Sequence, residues 1–215
     1  MPIQELNQKD LERAKARNES GRIEEQEKYR FYKPNGRVAD FIKVVGSNKH
    51  FVNLFVAANG VGKTSGLANI LAGICFGDSG NQYLQYPLFQ QFPYIKRGRI
   101  ISDPTTISQA IIPELKKWFP SSRYTTSKGG KSYEYNWKTD TGFRFDILTT
   151  EQENKEFESV NLGFCLIDEP CPRSIVKATI ARMRRGGILI LAFTPLTGSS
   201  FFYDEFVVHP DTIHY

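Results

Sequence analysis

The sequence predicts an α/β fold, a mostly parallel sheet flanked by helices, and three observations predict it. Short apolar, β-branched runs alternate with segments of helical character between residues 51 and 193. The first of these runs leads into a glycine-rich turn that ends Gly62-Lys63-Thr64. A later run, Phe164–Ile167, stops on two adjacent acids, Asp168 and Glu169.

Taken in order, residues 3–30 are rich in charge and in helix formers, with acids and bases alternating. They read as a solvated helical arm over residues 1–30, interrupted at Asn18–Gly21; a partner-binding helix is the other reading. Pro34-Asn35-Gly36 then punctuates the chain and a domain follows over residues 31–215. Phe51–Ala57 is the first strand, and a helix runs from the glycine-rich turn through Ile74. Arg99–Asp103 reads as a second strand and Thr105–Trp118 as a helix. Ser132–Lys138 and Phe143–Thr149 alternate aromatic and polar residues around Thr139–Gly142, a hairpin signal. Phe164–Ile167 is a buried strand, Ile175–Arg185 a basic helix, Ile188–Phe193 another buried strand and Phe201–Val207 a last helix.

Composition bounds the possibilities. At 215 residues, 40% of them hydrophobic and 13% aromatic, the chain has material for one core, which excludes wholesale disorder. A net charge of +5 and a pI near 9.0 suit an anionic partner, of which nucleic acid is the commonest. Cys75, Cys165 and Cys171 show no paired spacing, so neither a disulfide framework nor a zinc site is expected. His50, His209 and His214 are scattered and show no metal-ligand spacing. No secretory signal opens the sequence, and no apolar run reaches the ~20 residues of a membrane span. A reduced, cytosolic protein is expected.

Three motifs carry chemistry. In Ala57-Ala58-Asn59-Gly60-Val61-Gly62-Lys63-Thr64, a strand passes through a glycine-rich turn into a helix, the context a phosphate-binding loop (P-loop) requires. There Ala58, Asn59, Gly60, Val61 and Gly62 would wrap the phosphates with backbone N–H groups. Lys63 would reach the outer phosphates of ATP, and Thr64 would ligate Mg2+. Strict spacing puts a glycine where this chain has Ala57. At the acidic strand, Asp168 is the second expected Mg2+ ligand and Glu169 the group that polarises the attacking water. The third motif is Leu189–Pro195, a buried strand ending in Thr194, whose hydroxyl can sense the γ-phosphate through a water; a strand stopped by proline is the plainer reading.

These signals, in this order, resemble the ATPase domain of phage terminase large subunits. The resemblance rests on AANGVGKT, on Thr150–Pro170 (TEQENKEFESVNLGFCLIDEP) and on RMRRGGILILAFTPLTG, and spans roughly residues 31–207. It implies an additional-strand, catalytic-glutamate P-loop ATPase that moves double-stranded viral DNA into a procapsid in the host cytoplasm. Implied partners are the portal protein, the small terminase subunit and further copies in a ring. Lys63 and Thr64 would bind phosphate and magnesium, Asp168 magnesium, Glu169 would activate water, and Thr194 would couple hydrolysis to movement. A helicase-like DNA-dependent ATPase and a non-hydrolysing ATP-binding assembly module are the alternatives.

The sequence departs from that family in places. No glutamine stands near Phe31–Arg37 to read adenine, so Phe31 or Tyr32 would stack on the base, unless they pack in the core. The P-loop contains no arginine, so the arginine finger is expected from a neighbouring subunit, with Arg99, Arg123, Arg144 and Arg182 as candidates. The family's C-terminal nuclease has no counterpart before Tyr215, and none is expected in this chain. DNA contact is expected through phosphates, at Arg182–Arg185 or at Lys128–Lys131.

Overall fold

A computed structural model describes residues 8–152, 154–157 and 160–194. Five strands run parallel: β1 (Val52–Val56), β7 (Ile188–Phe193), β6 (Phe164–Asp168), β2 (Arg97–Ser102) and β5 (Arg144–Thr149). β4 (Asn136–Thr139) adds antiparallel to β5, and β3 (Tyr124–Ser127) antiparallel to β4. The order across the sheet is β1-β7-β6-β2-β5-β4-β3. Sequence patterning predicts this mostly parallel sheet. β6 and β7 are buried at every position, because strands covered on both faces need apolar residues throughout rather than at alternate places.

Helices cover both faces. On one, α2 (Gly36–Gly46) and α3 (Lys63–Phe76) pack with Phe41 stacked on Phe55 at 4.6 Å, above a core that continues through Ile70, Leu166 and Ile190. Helical turns at Pro104–Thr106 (α5), Ile107–Ile111 and Ile112–Trp118 (α6) complete that layer, after a short α4 at Pro87–Gln90. On the other face, α8 (Arg173–Ala181) sets Ile175 and Val176 among Leu54, Leu189 and Leu191, beside a short α7 at Asn154–Phe157.

Several boundaries differ from the expected ones. α1 (Gln8–Gln26) runs unbroken through Asn18–Gly21, where an interruption is predicted. One glycine costs a helix only ~1 kcal/mol, and Glu19 pairs with Arg22 at 2.8 Å across the same turn. The helix expected over Thr105–Trp118 contains a π-turn at Ile107–Ile111. Pro113 explains it: in an α-helix its ring would meet the carbonyl of residue 109, and the wider turn removes the clash. α8 stops at Ala181, four residues early, because Arg182 caps it and the left-handed Gly186 then turns the chain. The expected helix Phe201–Val207 lies outside the described residues.

Cys75, Cys165 and Cys171 are free and buried, and burial pushes the Cys171 thiol up to about 12. Among the described residues no helix is long and apolar enough to cross a membrane.

Candidate functional site

The carboxyl ends of β1, β6, β7 and β2 meet at one end of the sheet, which is where ligands collect in open α/β folds. β1 leads into the loop Ala57–Gly62, and Gly60 (φ 79°) and Gly62 (φ 84°) take the left-handed conformation that turns it onto α3. Ala57 has no positive φ and its N–H bonds to the carbonyl of Phe193 in β7, so alanine serves there. Asn35, the N-cap of α2, braces the loop from outside through its side-chain amide on the Val61 carbonyl.

Lys63 is 7% exposed and uses all three ammonium protons: on the carbonyls of Ala57 (3.0 Å) and Ala58 (3.3 Å) and on Thr194 Oγ1 (2.9 Å). Thr194, placed just past β7, accepts from Lys63 and directs its own hydroxyl at Asn59 Oδ1 (2.8 Å) or Glu169 Oε1 (3.2 Å). Its backbone N–H donates to the other oxygen of Glu169 at 3.2 Å. Loop, acidic strand and β7 thus share one hydroxyl.

The two acids diverge as their order in the chain demands. Asp168, still in β6, points to Thr64, whose hydroxyl donates to Asp168 Oδ2 at 2.8 Å. Its carboxyl is 2% exposed, and burial pushes it up to about 6, with Glu169 adding repulsion and Thr64 opposing. Consecutive strand residues face opposite sides, yet Glu169 also turns to the loop. It does so because its φ is 74°, a left-handed conformation rare for a residue with a Cβ, fixed by its N–H on the carbonyl of Ala192 (2.7 Å). Glu169 Oε1 stands 4.0 Å from Lys63 Nζ.

A cleft of about 500 Å3 opens over these groups. Its floor is Asn59, Gly60, Gly62, Lys63, Thr64, Asp168 and Glu169, so most of the residues that the motifs single out meet at one place. Its opposite wall, Thr106, Gln109, Pro113 and Glu114, comes from α5, the π-turn and α6. No motif marks that wall. Trp118 locks it to α3, its indole N–H donating to Ser65 Oγ (3.1 Å) and Glu114 Oε2 (2.7 Å). Ser102 at the end of β2 belongs to no motif either; its hydroxyl holds the Asp168 carbonyl at 2.5 Å.

Other expected residues lie elsewhere. Tyr32 is 8% exposed and packs edge-on to Trp118 at 4.8 Å, so its ring serves the core and does not line the cleft. Phe31 is 49% exposed, also away from the cleft lining. Arg99 is wholly buried and grips both oxygens of Asp146 (2.8 and 3.1 Å) and the Phe157 carbonyl (3.0 Å), which rules it out as a finger for any cleft. Arg123 pairs with Asp140 at 2.8 Å beside the Phe76 ring. Arg144 and Arg182 lie at the far end of the strands from the cleft, near the starts of β5 and β6.

The sequence matches no protein-family model and no curated protein. Solved structures do match. The large terminase of a thermophilic bacteriophage aligns with a TM-score of 0.65 at 12% identity, over 86% of this chain and 45% of that one. The large terminase ATPase domain of Thermus phage P74-26 aligns at 0.55 and 13% identity, over 87% and 82%. The fold is that of a large-terminase ATPase domain. A second structure of the first of these terminases, in complex with ADP, aligns at 0.54 and 14% identity, over 85% and 45%. The chain therefore spans less than half the length of that whole terminase and most of the P74-26 ATPase domain. Within this terminase-type fold, β7 stands between the P-loop strand β1 and the acidic strand β6 and so carries Thr194 between Lys63 and Glu169.

Proposed function

We propose that this chain is the ATP-hydrolysing motor domain of a DNA-packaging terminase large subunit. The observation that carries the reading is the Thr194 hydroxyl, joined at once to the P-loop through Lys63 and Asn59 and to the carboxylate of Glu169. The ADP bound by the thermophilic bacteriophage's terminase, which has the same fold, supports an adenine nucleotide as the ligand of the cleft.

The triphosphate would lie along the loop, where the N–H groups of Asn59 to Thr64 and the N-terminus of α3 face anionic oxygens. Lys63 would turn its protons from the Ala57 and Ala58 carbonyls and from Thr194 to phosphate oxygens, leaving Thr194 with a changed set of bonds. Glu169 would orient the attacking water and take up its proton on the carboxylate. Thr64 and Asp168, whose hard oxygens stand 2.8 Å apart, would hold Mg2+. When bound it neutralises charge on the transferred phosphoryl group. Among the described residues no arginine lines the cleft floor or its wall. A neighbouring copy in a ring would supply one, raising the rate by about 10³–10⁵. Duplex DNA, the portal protein and the small terminase subunit are the partners of this reading, which puts the protein in the host cytoplasm.

Lys63→Ala tests it. The variant should still unfold in one cooperative transition, at a somewhat lower urea midpoint because Ala57, Ala58 and Thr194 lose a donor, yet lose ATP turnover by at least ~100-fold, measured as phosphate release with Mg·ATP. Turnover at the parent rate would remove the P-loop from the mechanism.

A further inference from the structure

The end of the strands farthest from the nucleotide cleft gathers cations that the proposed hydrolysis does not use. Arg97 opens β2, Arg144 opens β5 and Lys138 stands in β4; in register, Arg97 faces Arg144 and Arg144 faces Lys138. Neighbouring strands lie ~4.8 Å apart, so three like charges form one row, an arrangement unfavourable on its own. With Ser127 and Asn136, this row lines a recess of about 280 Å3.

Backbone hydrogen bonds extend the row sideways. The Gly163 N–H donates to the Arg97 carbonyl (2.8 Å) and the Leu162 N–H to the Arg182 carbonyl (2.9 Å), which brings the basic turn Arg182–Arg185 to the same end of the sheet. Lys138, Arg144, Arg184 and Arg185 are exposed. Among the described residues no carboxylate forms an ion pair with Lys138, Arg144, Arg182, Arg184 or Arg185. Arg97 reaches Asp146 only at 3.9 Å, and that carboxylate is already held by Arg99 at 2.8 Å. The buried Nε atoms of Arg97 and Arg182 have no hydrogen-bond partner among the described residues. Among the described residues, Lys138, Arg144, Arg182, Arg184 and Arg185 lack the counter-charge that the chain gives Arg99, Arg123 and Lys116.

We infer that this end of the sheet is a docking surface for the sugar-phosphate backbone of duplex DNA, an inference that rests on the packaging reading. A row of guanidinium and ammonium groups over a shallow recess matches a row of phosphates, and the arginine forks take phosphate oxygens in pairs. Such contacts ignore base sequence and weaken with salt. The six residues of β2 at ~3.3 Å each put this surface roughly 20 Å from the cleft, so the nucleotide is not its occupant. Hydrolysis and grip then act on opposite ends of the same strands.

The test is fluorescence anisotropy of the 215-residue chain with a labelled duplex of arbitrary sequence, over a series of salt concentrations. Lys138→Ala/Arg144→Ala/Arg184→Ala should weaken binding more than tenfold at low salt and lower the salt slope by about 3, about one for each phosphate left without its cation. Arg17→Ala/Lys28→Ala/Lys177→Ala removes equal charge from exposed positions elsewhere and should change affinity less than threefold. The charge-conserving Lys138→Arg/Arg144→Lys/Arg184→Lys should retain binding, which separates charge from folding. Duplex binding by the first variant at the parent affinity overturns the surface and leaves the packaging reading standing. No duplex binding by the parent chain overturns both. Poly-glutamate held as tightly as duplex would mark the surface as a protein contact and overturn the assignment to DNA.

Discussion

Glu169 concentrates the chemistry of the site in one backbone angle. A strand residue beside Asp168 would normally face away from the P-loop, and the left-handed φ of 74° reverses that at a cost of about 1 kcal/mol. The order of two substitutions checks it. At ordinary positions alanine is more stabilising than glycine, because glycine gives the unfolded chain more freedom. Here Glu169→Gly should be more stable than Glu169→Ala by about 1 kcal/mol in urea unfolding, although both remove the carboxylate. The reverse order would mean that the backbone is not left-handed there. The acid pair is legible in the sequence as a strand that ends DE, and so is its approach to the P-loop. The φ that aims Glu169 leaves no mark on the sequence, since glutamate is no turn former. Thr194 is legible only as a hydroxyl after a buried strand; its place between Lys63 and Glu169 follows from β7 pairing with both β1 and β6.

Among the elements, β2 and β5 are joined by more than their backbone ladder. Arg99 and Asp146 face each other in register and form a buried, two-pronged pair, so each depends on the other for its charge. Asp146→Ala leaves a guanidinium buried beside a single carbonyl and should cost roughly 3–5 kcal/mol in urea unfolding. The double variant Arg99→Met/Asp146→Leu should recover most of that loss. A single-variant cost below about 1 kcal/mol would show that the pair contributes little. Elements with strong periodicity are readable: both buried strands, the hairpin and the P-loop helix. α2 is masked because Pro34-Asn35-Gly36 signals a turn, yet Val38, Phe41, Ile42 and Val45 follow at helical spacing and Asn35 caps the helix. β3 offers no such pattern. It is an edge strand with three exposed residues, tied to the sheet by the ring of Tyr124, stacked on Trp137 at 5.0 Å, and by the Ser127 hydroxyl, which accepts from Asn136 at 3.5 Å. The cleft wall is of the same kind, because Thr106, Gln109 and Glu114 belong to the site only through the packing of α6 on α3.

For the molecule as a whole, the sheet sets the proposed nucleotide cleft at the carboxyl ends of its parallel strands and a band of cations at their amino ends. The candidate arginines are buried, paired or at the wrong end for the chain's own cleft, so an isolated copy should turn ATP over slowly and copies in contact should do so faster. Whether the cleft hydrolyses ATP is decided by phosphate release from Mg·ATP by the parent chain and by Glu169→Gln, with ATP binding measured alongside and protein concentration raised over about a hundredfold range. The parent chain should release phosphate at a specific rate that climbs with concentration. Glu169→Gln should bind ATP comparably but release phosphate at least ~100-fold more slowly, because the amide takes up no proton from water. Equal rates for the two proteins, or no release by the parent chain at any concentration, would contradict this mechanism.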